Sequence, residues 1–293
     1  VTNPLCSPSR ACILTGLYSH THGVISNGDG PDFRAQPGLR PGQIHFPMLL
    51  RKAGYYAAVV GKWHIRSNPE AFDDWAILPG QGRYADPEMI VNGARLLFRG
   101  NSEDVVTDQA LQLLRHRPKE KPFCMMLHYK APHRAWIPDS RFEHRYDKIT
   151  IPEPKNFDED LSRRPPAVAN SDMQIADMPD FAGRGVRADL PRSERKKLNF
   201  QVFMKNYYRV LLGVDENLGR VLDFLDDEGL RENTLVIYTG DIGFFLGEHG
   251  MFDKRFMYEP SLRVPMLVRY PAGIRPGQVD SEHIVINNDV APT

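Results

Sequence analysis

The stretch that decides the fold is FPMLLRKAGYYAAVVGKWHI, at residues 46–65. Its first half predicts a short helix that ends at Gly54, and YYAAVV (55–60) predicts a buried strand. The same order recurs twice, because a helix over Asp104–Arg117 precedes FCMMLHY (123–129) and a helix over Leu198–Glu228 precedes TLVIYT (234–239). VPMLVRYP (264–271) predicts a fourth strand. Such alternation predicts an α/β fold, with a mostly parallel sheet and helices on both faces.

Charged and imidazole side chains follow three of the predicted strands. GKWHI carries Lys62 and His64, APH (131–133) carries His133, and the third strand runs into Asp241. In parallel sheets, ligands bind beyond the carboxyl ends of the strands. We therefore expect these four side chains to meet at one edge of the sheet.

Composition excludes several classes of function. The 293 residues contain 37 Lys and Arg against 37 Asp and Glu, and this balance argues against a general nucleic-acid binder. No apolar run approaches the roughly 18 residues of a membrane span. Three cysteines without C-x-x-C spacing provide neither a disulfide framework nor a zinc site. Residues 134–196, rich in Pro, Arg and Asp without periodicity, predict a long irregular loop, and a loop of this length is typically either functional or partly disordered.

CSPSRACILTG, at residues 6–16, is the sharpest local signal. Ser7 can cap a helix that has Pro8 in its first turn and Gly16 at its end. Cys6 would then lie at the helix N-terminus, where the macrodipole favours negative charge, and Arg10 would lie about one turn away. The alternative is an ordinary capped helix beside a buried cysteine.

This stretch resembles the C-x-P-S-R signature of the type I sulfatases, which belong to the alkaline phosphatase-like superfamily. Further motifs resemble the same family in the same order: LYSHTHGV (17–24), GKWH (61–64), APH (131–133), GEHGMFDKRFMYEPSLRVPMLVRYP (247–271) and NNDVAPT (287–293). The resemblance covers the whole chain. It implies that residues 1–293 form the N-terminal catalytic domain of a sulfatase with an alkaline phosphatase-like core.

The resemblance also implies an activity and its residues. A formylglycine-generating enzyme would oxidise Cys6 to formylglycine, whose hydrate attacks a sulfate monoester of a carbohydrate or aryl alcohol. Arg10 would anchor the hydrate, and Lys62 and His133 would bind sulfate oxygens. His64 would assist proton removal, and Lys254 would contact the sulfate on the leaving-group side.

The family's metal site is the part of the resemblance that this sequence matches least. The family binds Ca²⁺, or alternatively Mg²⁺, through the formylglycine, an acidic pair on a first strand, an Asp and a following Asn or His. Asp241 and the modified Cys6 match this pattern, but Ile242 occupies the position of the Asn or His. The acidic pair is expected upstream of the Cys6 motif, where this chain has only five residues. We therefore expect a chain truncated at both ends, without the first strand and a C-terminal subdomain, and inactive as it stands.

Two alternatives remain open at this point. Phosphonate monoester and phosphodiester hydrolases share the fold and a C-x-P-S-R nucleophile. A non-catalytic relative that has lost its metal site is the other alternative, and Ile242 favours it. Residues 1–5 do not resemble a signal peptide, and only the resemblance suggests a periplasmic or secreted protein. The substrate is not predicted, because the residues that select it lie in loops such as 134–196.

Overall fold

The computed structural model describes residues 1–28, 38–181, 186 and 189–293. The helices in these residues are α1 (Cys6–Thr15), α2 (Ser19–His22), α3 (Phe46–Lys52), α4 (Ser102–His116), α5 (Pro166–Ala169), α6 (Arg192–Asp227) and α7 (Glu259–Leu262). The strands are β1 (Tyr56–Lys62), β2 (Asp74–Leu78), β3 (Glu88–Val91), β4 (Ala94–Leu97), β5 (Phe123–His128), β6 (Val236–Thr239), β7 (Phe245–Leu246), β8 (Phe252–Asp253) and β9 (Met266–Arg269).

The central sheet has five strands in the order β4-β3-β2-β1-β5. β1 pairs in parallel with both β2 and the edge strand β5, whereas β3 and β4 extend the sheet on the other side as antiparallel strands. Successive residues of β1 face opposite sides, so Val59 packs in a cluster with Leu14 of α1, and Val60 packs in a cluster with Val106 of α4. The predicted α/β fold, with helices on both faces of a mostly parallel sheet, is confirmed.

The third and fourth predicted strands lie apart from this sheet. β6 and β9 pair with each other in antiparallel orientation, and in the described residues neither pairs with the central sheet. Every residue of β1 is buried, but β6 and β9 have no fully buried residue. β6 is linked to the core through Val236, which packs in a cluster with Leu114 of α4 and Phe224 of α6.

The segment at 134–196 packs extensively although it contains little regular structure. Its described residues form short helical turns and the beginning of α6. Trp136, Phe157 and Phe181 are each at most 2% exposed and lie in one cluster with Phe200 and Phe203 of α6. This part of the chain therefore builds a second apolar core beside the sheet.

No helix among the described residues is both long enough and apolar enough to cross a membrane.

Candidate active site

The site begins at the first residue of α1. Cys6 starts the helix, and Leu5 occupies the cap position without a side-chain capping bond. The predicted capping role of Ser7 is therefore wrong, because its hydroxyl instead donates to the backbone carbonyl of His64 at 2.5 Å. The Ser7 amide donates to the side-chain oxygen of Asn27 at 3.0 Å. The first bond joins the start of α1 to the segment that follows β1, and the second joins it to the segment that follows α2.

Lys62, the last residue of β1, lies beside Cys6. Its Nζ is 3.7 Å from the Cys6 sulfur, and Lys62 is only 3% exposed. Burial lowers the pKa of Lys62, and the nearby charges of Cys6 and Arg10 act in opposite directions on it. Gly61 precedes it with φ +98°, and a Cβ there would lie 1.9 Å from the carbonyl oxygen of His128. Only glycine allows β1 to approach β5 so closely at this point.

Arg10 connects four elements at the carboxyl ends of the strands. Its Nε donates to Asp241 Oδ2 at 2.8 Å. Its Nη1 donates to the carbonyl of Lys62 and lies 3.2 Å from His128 Nδ1. Burial raises the pKa of Asp241, but the charges of Arg10 and Lys62 outweigh it and lower that pKa to about 2. Ser9 donates to the carbonyl of Asp241. Asp241 is therefore an ionised carboxylate attached to α1.

His64 lies between α1 and the loop after β2. Its Nδ1 is 3.4 Å from the Ser7 hydroxyl, and its Nε2 is 3.2 Å from the side-chain nitrogen of Gln81. Burial, followed by the charges of Lys62 and Arg10, lowers the pKa of His64 to about 3. The ring is therefore neutral at pH 7.

His133 and Lys254 complete the group of predicted residues. The Nδ1 of His133 donates to the carbonyl of Arg134 at 2.8 Å, and this bond leaves Nε2 without its proton in the neutral ring. Burial, then the charges of Lys62 and Lys254, lowers the pKa of His133 to about 2. Lys254 follows β8, is 4% exposed, and its Nζ lies 2.9 Å from Asp253 Oδ1.

Together, Lys62 lies beside the buried Cys6, and Arg10, Lys254 and two neutral histidines lie in the same region of the molecule. The charge of Lys254 acts on the pKa values of Lys62, His64, His133 and Asp241, so these groups share one region despite their separation in the chain. Such an arrangement can bind a tetrahedral anion and stabilise charge that develops on it.

The comparison with known families decides what kind of site this is. The family model described as Sulfatase matches residues 1–293. This chain belongs to the sulfatase family. It is 38% identical over 336 aligned residues to the N-acetylglucosamine-6-O-sulfatase of Bacteroides thetaiotaomicron, with 99% of the chain and 59% of that relative covered. A relative from Drosophila melanogaster, 26% identical and covered over 26% of its length, is named as an extracellular sulfatase.

Solved structures agree with this assignment. A protein in complex with its substrate D-glucosamine-2-N,6-O-disulfate superposes with a TM-score of 0.89 at 37% identity, over 100% of this chain and 67% of that one. The phosphonate monoester hydrolase of Silicibacter pomeroyi superposes with a TM-score of 0.71 at 23% identity, over 98% of this chain and 62% of the other. The second likeness shows the fold alone. The sulfatase chain spans about three fifths of the length of its curated Bacteroides relative.

The metal centre that the family resemblance implies does not fit the described residues of this sulfatase chain. Among them, no three His, Cys, Asp or Glu side chains form a group that could hold a metal ion. Asp241 already binds Arg10 through Oδ2, and the half-buried side chain of Ile242 contains no donor atom. Calcium requires six or more oxygen ligands, so Asp241 alone does not form its site.

Sequence reasoning missed three residues of this site. His128 ends β5 and contacts Arg10, and its position at a strand end was the available signal. Lys130 lies within the same KAPH stretch as His133 and could have been found there. Gln81 follows β2 in a glycine-rich loop, and no pattern in the sequence marks it.

Proposed function

We propose that the natural protein that carries this chain hydrolyses sulfate monoesters of amino sugars, with 6-O-sulfated glucosamine as the preferred class. The proposal is carried by the buried Cys6 beside Lys62, with the charges of Arg10 and Lys254 acting on Lys62, within a sulfatase-family chain. The names of the relatives support the substrate class, because one is an N-acetylglucosamine-6-O-sulfatase and another was solved with a 6-O-sulfated glucosamine.

The reaction begins from a modified Cys6. Formylglycine, made from this cysteine by a formylglycine-generating enzyme, supplies a hydrated aldehyde that displaces the alcohol from sulfur and afterwards releases sulfate. The buried position of Cys6 at the start of α1, 3.7 Å from Lys62 Nζ, fits a group that carries developing negative charge. Arg10 lies one turn further along α1 and anchors the hydrate. Its Nε donates to Asp241, and its Nη1 donates to the carbonyl of Lys62.

The other residues of the site bind sulfate oxygens or assist proton removal. Lys62 and Lys254 bind sulfate oxygens and offset the negative charge that grows in the transition state. His64 is neutral and assists proton removal from the hydrate, and its ring lies beside Ser7, next to Cys6. The Nδ1 of His133 is occupied by the carbonyl of Arg134, so Nε2 is the nitrogen that binds sulfate. The negative charge of the bound sulfate favours protonation of Nε2, which then donates to a sulfate oxygen.

No step above passes through a metal ion. The calcium or magnesium site that the resemblance implies requires oxygen ligands other than those described here. Metal analysis of the purified natural protein tests, independently of turnover, whether it binds calcium or magnesium.

Paired assays distinguish the proposal from its alternatives. Turnover is measured on glucosamine 6-sulfate, an aryl sulfate and an aryl phosphonate monoester, with the Cys6→Ala variant as background. We expect the sulfates to be hydrolysed with the higher kcat/KM. Faster hydrolysis of the phosphonate would support the phosphonate monoester hydrolase, and absence of turnover on all three at full formylglycine content would support a non-catalytic relative.

A further inference from the structure

Lys130 is a buried lysine for which the reaction above has no use. It follows β5 in the stretch that leads to His133, and it is only 5% exposed. Removing an ammonium group from water is costly unless it is paired or well hydrogen-bonded. In the part of the chain that the structure describes, no ion pair to a carboxylate within 4.0 Å accompanies Lys130. Its partners must therefore explain its position.

The partners of Lys130 are two backbone carbonyls and an aromatic ring. Its Nζ donates to the carbonyl of Gln81 at 3.1 Å and to the carbonyl of Arg134 at 3.4 Å. The same atom lies 4.8 Å from the centroid of the Tyr84 ring, within the range of a cation–π contact. One ammonium group thus ties the loop after β2 to the segment after β5.

Each of these carbonyl-bearing residues also holds a histidine of the site. The side-chain amide of Gln81 lies 3.2 Å from Nε2 of His64, and the carbonyl of Arg134 accepts the Nδ1 proton of His133 at 2.8 Å. We propose that Lys130 is a positioning residue, whose ammonium group sets the orientation of His64 and His133 through the Gln81 and Arg134 carbonyls. The inference rests on the proposed function.

Neighbouring groups hold the same segment from other directions. The Tyr84 hydroxyl donates to the carbonyl of His133 at 2.5 Å, and the Glu103 carboxylate accepts from the amide of Ala131 at 2.9 Å. Tyr84 and Glu103 are 3% and 2% exposed, respectively. The backbone on both sides of His133 is therefore bonded to buried side chains, and Lys130 is the member that also reaches the His64 side.

The charge of Lys130 also supports its role as a positioning residue. Burial lowers the pKa of Lys130 to about 8, so the side chain still carries its charge near pH 7. That charge is among the causes that lower the pKa of His133. The Arg134 carbonyl accepts from both Lys130 and His133, and loss of the ammonium group would free it to move with the ring.

The test replaces Lys130 in the natural protein and reads both kinetics and imidazole tautomers. Lys130→Met removes the donors and keeps the length of the side chain, and Lys130→Arg keeps the charge and donors. We expect Lys130→Met to lower kcat by about 10-fold or more with KM changed by less than about 2-fold, because orientation matters most in the transition state. Lys130→Arg should recover part of the loss.

Nitrogen-15 NMR of labelled histidines supplies a readout that does not need turnover. In the wild type, His133 should be present as its Nδ1–H tautomer, and in Lys130→Met this signal should give way to a mixture. Lys196→Met is the matched control, because Lys196 Nζ also donates to a backbone carbonyl, that of Phe157, and lies 4.3 Å from the Phe157 ring. It should leave kcat and the histidine signals unchanged.

The outcomes separate the two proposals. An inactive wild type with a single His133 tautomer, lost in Lys130→Met, would overturn the proposed function and leave the positioning role intact. An active wild type whose kcat and histidine signals are unchanged in Lys130→Met would overturn the positioning role. If Lys130→Met does not fold, Tyr84→Phe keeps the ring beneath Lys130 and removes only the bond to His133. Tyr84→Phe should change the His133 signal and leave the His64 signal unchanged. Equal changes in both signals would contradict the assignment of the Tyr84 hydroxyl bond to the His133 side.

Discussion

The candidate site has two halves that are supported very differently. The half that we propose binds the sulfate, called the anion-binding half, comprises Cys6, Lys62, His64, His133 and Lys254. The metal half comprises Asp241 and Ile242. The first half is built mainly around β1, which is buried along its length and has a parallel strand on each side. The second follows β6, a partly exposed strand whose single partner among the described strands is β9.

This difference shows where a site's geometry comes from. In the anion-binding half, hydrogen bonds to other segments of the chain hold several of the groups, and the Ser7 bond to the His64 carbonyl is one example. In the metal half, the Arg10 ion pair and the Ser9 bond hold Asp241, and Ile242 contributes no polar atom. The described residues therefore preorganise anion binding and leave metal binding incomplete.

The largest effect is expected at the nucleophile of the anion-binding half. Cys6→Ala in the natural protein should lower kcat by about 10³-fold or more, because a nucleophile and the groups around it act as a unit. Mass spectrometry should also find the thiol-to-aldehyde conversion at Cys6 and not at Cys12, since only Cys6 precedes the x-P-S-R pattern. Cys124→Ala is the control and should keep its activity. An unmodified Cys6 in cells that carry out the conversion elsewhere would contradict the mechanism.

Arg10 joins the two halves, and its removal should cost stability. Arg10→Met leaves the partly buried Asp241 carboxylate without its partner, and the free energy of unfolding should fall by about 2 kcal/mol. Urea denaturation measures this loss. Arg51→Met, which breaks the exposed Arg51–Asp73 pair, should cost less than about 1 kcal/mol. Equal losses in the two variants would show that Arg10 is no more than a surface residue.

Acid should weaken the anion-binding half through its neutral histidines. The folded pKa of His133, about 2, lies below its unfolded value, so the unfolded state binds more protons at pH values below about 6.5. Stability is therefore lost as pH falls from about 6.5 towards the folded pKa. Between about pH 7.5 and pH 5 the contribution of His133 is about 2 kcal/mol.

His133→Asn tests that contribution, because its amide can replace Nδ1 as a donor but does not titrate. Urea unfolding at the two pH values should show a pH dependence about 2 kcal/mol smaller than in the wild type. His144→Asn is the control, since His144 is 87% exposed and should behave like the wild type. A wild-type pH dependence that persists in His133→Asn would mean that His133 is not the group responsible.

The smallest effect is expected in the metal half. Ile242→Asn adds one amide oxygen next to Asp241 and should tighten calcium binding by the natural protein about 10-fold. Calcium titration of both variants at equal formylglycine content measures the change, with Ile242→Leu as the apolar control. Equal affinities of the asparagine and isoleucine forms would show that position 242 does not contribute a ligand.

Several features were predictable because they depend on local pattern. The strand before Lys62, the strand before His133 and the long helix that includes Leu198 follow from apolar periodicity, and the structure confirms them. The role of Ser7 was not predictable in this way. Its hydroxyl has a choice between the helix end and the His64 carbonyl, and only the approach of a distant segment decides that choice.

The pairing of β6 and β9 also lay beyond the sequence pattern. Both read as apolar strands, but an apolar strand can enter a parallel sheet or pair with a neighbour in antiparallel orientation. In the described residues they pair with each other, and Asp241 reaches the site through Arg10. The expected meeting of strand ends therefore occurs through Arg10 of α1, which donates both to the carbonyl of Lys62 and to the carboxylate of Asp241.

The fold class, the family and the residue types of the anion-binding half follow from the sequence, because periodicity and short motifs are properties of neighbouring residues. The groups that orient the histidines are known only from the folded chain. Lys130 and Gln81 act through bonds between segments 49 residues apart, and Arg10 meets Asp241 across 231 residues. Such contacts depend on how the sheet brings loops together, and no local rule specifies them.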